Sequence, residues 1–295
     1  MIEKGMKQFI KRRIPIAARL IRWIYACLNI YRSHPQYIAS RAPFLLPYTF
    51  NLVYFDNRGN HPTQHLARTK RFARIEGADI LAIGCRYGGE VELWLNEQPR
   101  RVIALDYFPA GGTWQPIQNR YPDGTVEFLA ADTRRLPFRD DSFDIISSEA
   151  LLEHVNPVDL CIDEIYRVVK PGGLVYAIFG PLFYTRGGAH YEGDYEHLLM
   201  PRQQFKNFII YRQRSIEQQE CLFYLDNNMF SYWTMDQYLD AFKAFETLFS
   251  IVFLSPEAYQ YRYAHQSEWE QLKTKWPEKD LLVSGLAIWL RKPAR

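Results

Sequence analysis

A glycine turn, two acids at fixed distances beyond it and three histidines further along are the residues best suited in type and spacing to chemistry. The turn is Ala82-Ile83-Gly84-Cys85-Arg86-Tyr87-Gly88-Gly89-Glu90. Glycine lets backbone approach a ligand closely, and a helix opening after such a turn favours an anionic group at its N-terminus. Asp106 follows Gly84 by 22 residues. A carboxylate so placed can accept hydrogen bonds from both ribose hydroxyls of a nucleoside. Asp132, in Ala131-Asp132-Thr133, can accept from an exocyclic adenine amine while neighbouring amides meet the ring. Each acid can also be read as a loop cap, and a lone glycine turn occurs in many α/β folds.

His154, His190 and His197 are the candidate general bases. A positioned imidazole that takes a proton from a hydroxyl nucleophile contributes roughly 10²–10⁴-fold. His154 stands in Leu152-Glu153-His154-Val155, where a structural role competes with a catalytic one. His190 and His197 lie in Gly187-Gly188-Ala189-His190-Tyr191-Glu192-Gly193-Asp194-Tyr195-Glu196-His197, whose double glycine would let a lid move. Imidazoles and carboxylates can share a metal ion, but two histidines and scattered acids in a loop recur by chance. No metal is assigned.

The elements that must position these groups begin at Asp79. Asp79–Ile83, 101–106, 125–130, 143–147 and 174–179 are short apolar runs of strand length. Val91–Leu95 and 157–169 read as intervening helices, the second with Ile162, Ile165, Tyr166 and Val169 on one stripe. Pro171-Gly172-Gly173 stops that helix. Such alternation implies a mostly parallel sheet with helices on both faces. Residues 180–235 break the rhythm with abundant aromatics and no clear strand. A helix over 235–249, a strand over 251–254, a helix over 267–276 and a strand over 282–290 then complete seven strands. A further helix near 63–75 precedes the first of them.

The ordered set Gly84-Cys85-Arg86-Tyr87-Gly88, Asp106, Asp132 with Leu136-Pro137-Phe138, Ser142-Phe143-Asp144, Leu152-Glu153-His154-Val155 and Arg167-Val168-Val169-Lys170-Pro171-Gly172-Gly173 resembles class I S-adenosylmethionine-dependent methyltransferases. Within them it is most similar to the methyltransferase-domain group that acts on small molecules, lipids and glycans. The resemblance is strong over about residues 78–180, weak over the last elements and silent on residues 1–60. It implies a Rossmann-like α/β fold, S-adenosyl-L-methionine as cofactor, and an N-terminal extension over 1–60 ahead of a methyltransferase domain over 61–295. The 180–235 insert would be an acceptor-binding cap. Gly84, Arg86 and Gly88 would then lie along the methionine portion, Asp106 on the ribose, and Asp132 with Thr133 around the adenine. Ser148 and Glu149 would border the reacting methyl group. Cys85 and Tyr107, beside these positions, belong to the same expected set.

Two residues depart from that family pattern. Ala82 stands where an acid usually helps hold the methionine amine, and Arg86 stands where glycine is usual. Arg86 could pair with the cofactor carboxylate, and Glu90 could replace the missing acid. An O-methyltransferase (EC 2.1.1.-) is the expected function. A non-catalytic nucleotide-binding or scaffolding domain is the alternative that Ala82 and Arg86 keep open.

Charge narrows the partners. The chain carries 36 basic and 33 acidic residues, net +3. Residues 1–32 hold eight of the basic residues against the single acid Glu3, or +7, which leaves 28 basic against 32 acidic, or −4, for the remainder. An acidic body argues against a nucleic-acid binder. The four cysteines have no paired spacing, so neither a zinc site nor a disulfide framework follows and a cytoplasmic, reducing compartment is the default. A basic, partly amphipathic helix is expected over about 16–31. It would pack on the domain or rest peripherally on an anionic inner membrane surface, and its uncharged stretch is too short to span a bilayer.

Overall fold

The computed structural model describes residues 41–55, 62–212 and 216–294, together with Ile38. The basic helix expected over 16–31 lies outside the described residues. Eight strands form one sheet: β1 (Leu52–Tyr54), β2 (Asp79–Ile83), β3 (Arg101–Asp106), β4 (Val126–Ala130), β5 (Phe143–Glu149), β6 (Val169–Phe179), β7 (Glu246–Leu254) and β8 (Val283–Arg291). Their order is β1-β7-β8-β6-β5-β2-β3-β4. All neighbours are parallel except β8, which runs antiparallel to both β6 and β7. The fold is the Rossmann-like α/β sheet expected, with one strand more than the seven read from the sequence.

The extra strand is β1, too short at three residues for alternation to be visible. It pairs at the sheet edge, Leu52 with Ile251 through Tyr54 with Phe253. The Asn51 side chain accepts from Ser250 N at 2.8 Å and fixes that register.

The ranges of the helices are α1 (Pro62–Thr69), α2 (Val91–Leu95), α3 (Gly111–Gln118), α4 (Val158–Val168), α5 (Glu196–Leu199), α6 (Arg202–Arg212), α7 (Ile216–Asp226), α8 (Met235–Ala241), α9 (Pro256–Ala264), α10 (Gln266–Lys273) and α11 (Glu278–Leu282). The helix expected over 235–249 is a correction. It starts with a Thr234–Gln237 capping box but ends at Ala241, and β7 takes over from Glu246. Pairing with β8 from Glu246 onward outweighs the apolar helical spacing of Phe242, Phe245 and Phe249.

Strand β2 is the centre, with all five residues buried. Its side chains alternate. Leu81 and Ile83 face the layer holding Val158, Ile162 and Ile165 of α4, while Ile80 and Ala82 face Trp94 of α2 and Trp114 of α3. With β5 on one side of β2 and β3 on the other, a crevice opens at the carboxyl ends of these strands.

The 180–235 insert carries no strand among its described residues; α5, α6 and α7 fall inside it. It has its own apolar cluster of Ala189, Tyr191, Phe205, Ile209, Cys221, Leu225 and Phe230. Most of the insert's aromatics are therefore packing. At roughly 1.5–3 kcal/mol for each large side chain buried, such a cluster can hold three short helices with little intrinsic stability.

Candidate functional site

The turn after β2 has the shape its glycines permit. Gly84 and Gly88 have φ of +74° and +81°. A Cβ on Gly84 would lie 2.8 Å from Leu151 Cβ, and one on Gly88 would lie 2.8 Å from Ile117 Cδ1. Arg86 also occupies the left-handed region, at φ +40°, which gives a physical reason for glycine to be usual at this position in the resembling family. Cys85 turns its side chain into the core, where burial pushes its thiol well up.

Asp106, the last residue of β3, ties two loops together. Its Oδ2 accepts from Arg86 N at 2.7 Å and its Oδ1 from Phe108 N at 2.9 Å. Each oxygen keeps acceptor capacity for a further donor. Asp132 is held by Arg134, whose Nη2 lies 2.7 Å from Asp132 Oδ2 and whose Nη1 donates to Asn156 O at 2.6 Å. That guanidinium holds the Asp132 carboxyl below its usual range. Sequence reading missed Arg134; an arginine two residues beyond the acid was the available signal.

Two cavities meet at these residues. One, of about 210 Å³, is lined by Gly84, Asp106, Tyr107, Asp132, Thr133 and Asn156, among others. The second, of about 700 Å³, shares Gly84, Asp106, Leu151 and His154 and extends to Arg86, Glu149, His190 and α7. Ser148 is fully buried, its hydroxyl without a partner, so the structure puts Glu149 rather than Ser148 at the cavity wall.

The structure separates the three histidines. His154 and His190 face each other with ring centroids 4.6 Å apart, and both line the larger cavity. His197 is buried within the insert, its Nε2 bonded to Phe183 O at 2.8 Å, and lines neither cavity. Phe183, Tyr191 and Phe205 surround its ring. His154 is fixed by Tyr224, stacked at 4.1 Å, and by Met229 O, 3.2 Å from Nδ1. A carbonyl only accepts, so Nδ1 carries the proton and Nε2 keeps its lone pair. His190 has φ +54° and a buried Nε2 with no partner. Burial first, then His190 beside it, lowers His154 to about 3. Burial and then Arg86 lower His190 to about 4. Both rings are neutral near pH 7 and able to accept.

Arg86 and Glu90 find protein partners that the sequence did not reveal. Arg86 Nη2 donates to Glu220 Oε1 on α7 at 2.8 Å. Burial first, then the Glu149 carboxylate, drives the Glu90 carboxyl well above its usual range. Nothing in the spacing of Glu220, 134 residues from Arg86, marked it in advance.

Residues 81–177 match the family model described as a methyltransferase domain. A Mycolicibacterium smegmatis protein named as an S-adenosylmethionine-dependent methyltransferase is 34% identical over 101 residues, covering 34% of this chain and 37% of that one. A fatty-acid O-methyltransferase of the same organism is 30% identical over 121 residues, covering 40% and 43%. Each match thus spans less than half of these relatives' length. A solved structure from Galdieria sulphuraria, named for sarcosine dimethylglycine methyltransferase activity, superposes with a TM-score of 0.51 at 16% identity, covering 79% of this chain and 85% of that one, which speaks to the fold alone. The matched segment 81–177 runs from β2 into β6 and contains the glycine turn, Asp106 and Asp132. Over that segment the chain carries a methyltransferase domain similar to the class I enzymes, whose cofactor is S-adenosyl-L-methionine.

Proposed function

We propose that this protein transfers a methyl group from S-adenosylmethionine to a hydroxyl oxygen of a small molecule, lipid or glycan held beneath residues 180–235. The observation that carries this reading is the continuity of the two cavities. The turn and acids expected for a nucleoside open directly onto a chamber walled by His154, His190 and the insert.

The residues present suit the cofactor. Glycine backbone without Cβ would lie beside the methionine portion, Asp106 keeps acceptor capacity for ribose hydroxyls, and Asp132 with Thr133, on the smaller cavity's wall, would border the adenine. Cys85 would contribute backbone only, and Tyr107 a ring at the recess edge. When bound, the cofactor supplies an activated methyl on a sulfonium.

The protein's own task is alignment and exclusion of water, which can supply roughly 7–11 kcal/mol. His190, whose ring lines the chamber, would receive the acceptor's hydroxyl proton as the new C–O bond forms. His154, bonded through Nδ1 to Met229 O, would position His190 by contact. Three residues of the chamber wall, Arg86, Ala150 and His190, have left-handed backbone. Strain of this kind costs of order 1–3 kcal/mol each and clusters at working sites.

The name of the fatty-acid O-methyltransferase relative supports a lipid among the acceptor classes. The +7 charge of residues 1–32 would suit contact with an anionic inner membrane face from a cytoplasmic position, and among the described residues no helix is long and apolar enough to cross a membrane. Domain limits of 1–60 and 61–295 remain part of this reading, although β1, at 52–54, joins the sheet. The test is transfer of labelled methyl from the cofactor to hydroxyl-bearing lipids and glycans, with amine acceptors in parallel. Label appearing only on amines would refute the oxygen assignment. Cofactor binding with no transfer to any acceptor would favour the non-catalytic alternative.

A further inference from the structure

A third cavity, of about 120 Å³, lies beside the chamber at the same end of the sheet. Pro62 at the start of α1, Ile178 and Pro181 at the end of β6, and Phe253 on β7 help to line it. Glu149 and Ala150 line both this recess and the chamber. Part of its wall is bare backbone. A Cβ on Gly285, near the start of β8, would lie 2.5 Å from Phe179 O, and one on Gly180 would meet Ser284 O. The end of β6 and the start of β8 therefore touch at the recess, with no side chain between them. Tyr176 donates its hydroxyl to Glu149 Oε1 at 3.1 Å and holds that carboxylate in place.

Ala150 is the doorway between the two cavities. Its φ is +51°, its N–H is bonded to Ile178 O at 2.8 Å, and its side chain is a single methyl. A longer side chain at this turn would narrow the way from chamber to recess. Size and polarity then limit what can pass. An apolar cavity of about 150 Å³ holds one benzene ring, so a recess of about 120 Å³ holds about five carbons. Ile178, Phe253 and the two prolines offer a ligand apolar walls. A sugar ring is larger, and its hydroxyls would be left without partners against those side chains.

We propose that this recess is a specificity pocket that takes a short, branched apolar group of the acceptor past Ala150 while the reacting hydroxyl stays in the chamber. This rests on the acceptor reading given above and deepens it. Ile178 and Phe253 set the size limit. Groups as large as a six-membered ring are shut out, and a single methylene in such a pocket separates competing substrates by roughly 10–200-fold.

The test is methyl NMR of the full chain, labelled at Ala, Ile, Leu and Met and loaded with S-adenosylhomocysteine. Ile178 reports on the recess, Met229 on the chamber, and Ala150 on both. Titration with 3-methylbutan-1-ol should shift the Ile178 and Ala150 methyls together and saturably. Benzyl alcohol should shift Met229 and leave Ile178 where it was. Phe253→Leu, which widens the recess on the side away from the chamber, should let benzyl alcohol reach Ile178, with a thermal melt to confirm that the variant is folded. An Ile178 methyl unmoved by 3-methylbutan-1-ol, moved without Ala150, or moved equally by benzyl alcohol in the wild type overturns the pocket and leaves the cofactor reading intact. Continued exclusion of benzyl alcohol by folded Phe253→Leu overturns the size limit assigned to Phe253. S-adenosylhomocysteine that moves neither Leu151 nor Met229 overturns the cofactor reading itself.

Discussion

Arg86 of the glycine turn and Glu220 of α7 meet at 2.8 Å, joining two walls of the larger cavity. Phe108 and Phe223 add a ring contact across the same gap, with centroids 5.5 Å apart. The ion pair is half exposed, with side-chain accessibilities of 58% and 31%. Its worth to stability is therefore at most about 1 kcal/mol. Its other effect is to hold α7 in place. Glu220→Gln should change unfolding free energy by less than about 1 kcal/mol yet raise the acceptor KM several-fold. Denaturant melts and initial rates on the same preparation check this, and an unchanged KM would remove α7 from the acceptor site.

His190 should matter to turnover and not to cofactor affinity. Replacing a general base typically costs 10²–10⁴-fold. His190→Gln should therefore lower kcat by at least about a hundredfold with S-adenosylmethionine binding within twofold of wild type. His197→Gln separates catalysis from packing. Its ring is sealed among Phe183, Tyr191 and Phe205, so its loss should lower the melting temperature more than kcat per folded molecule.

Glu153 gives a pH signature of the fold. Its carboxyl is buried behind the His154 turn, Oε1 accepting from Gly180 N at 2.9 Å and Oε2 without a partner. Burial pushes it up to about 8. An unfolded glutamate titrates near 4.3, so between about 4.3 and 8 the folded chain holds more protons and stability falls as pH rises. The depressed histidines act in the opposite direction, but only below about 6.5, where the unfolded chain begins to bind protons. Between pH 6.5 and 8 the buried acids remain, Glu153 and Glu90 among them. Glu153→Gln should reduce the decline over that window by up to about 2 kcal/mol, read from chemical denaturation at several pH values. An identical slope in the variant would place Glu153 in contact with water.

The sheet was largely legible because buried parallel strands are continuous apolar runs, as Asp79–Ile83 and Leu174–Phe179 show. The misreadings have physical causes. Leu52–Tyr54 is too short for a period, and Glu246–Phe249 joins β7 through pairing with a distant strand. In the candidate site, residues attached to strand ends and glycines could be placed by spacing alone, as with Gly84, Asp106 and Asp132. Partners brought by the insert could not. Glu220, Tyr224 and Met229 reach the chamber only because the insert folds back over the turn. The same folding carries His190 to the wall and His197 into the packing, a difference invisible in a loop where both are flanked by acids and tyrosines.

The central claim is that the turn after β2 and Asp106 hold S-adenosylmethionine. Calorimetric titration of the purified chain, with Asp106→Ala and Asp106→Asn as controls and thermal melts to confirm that each is folded, tests it most directly. The account predicts micromolar binding by the wild type. It predicts a loss of at least about tenfold in both variants, because ribose hydroxyls would lose a charged acceptor worth roughly 1.5–3 kcal/mol. No binding by the folded wild type, or full affinity in a folded Asp106→Ala, would contradict it.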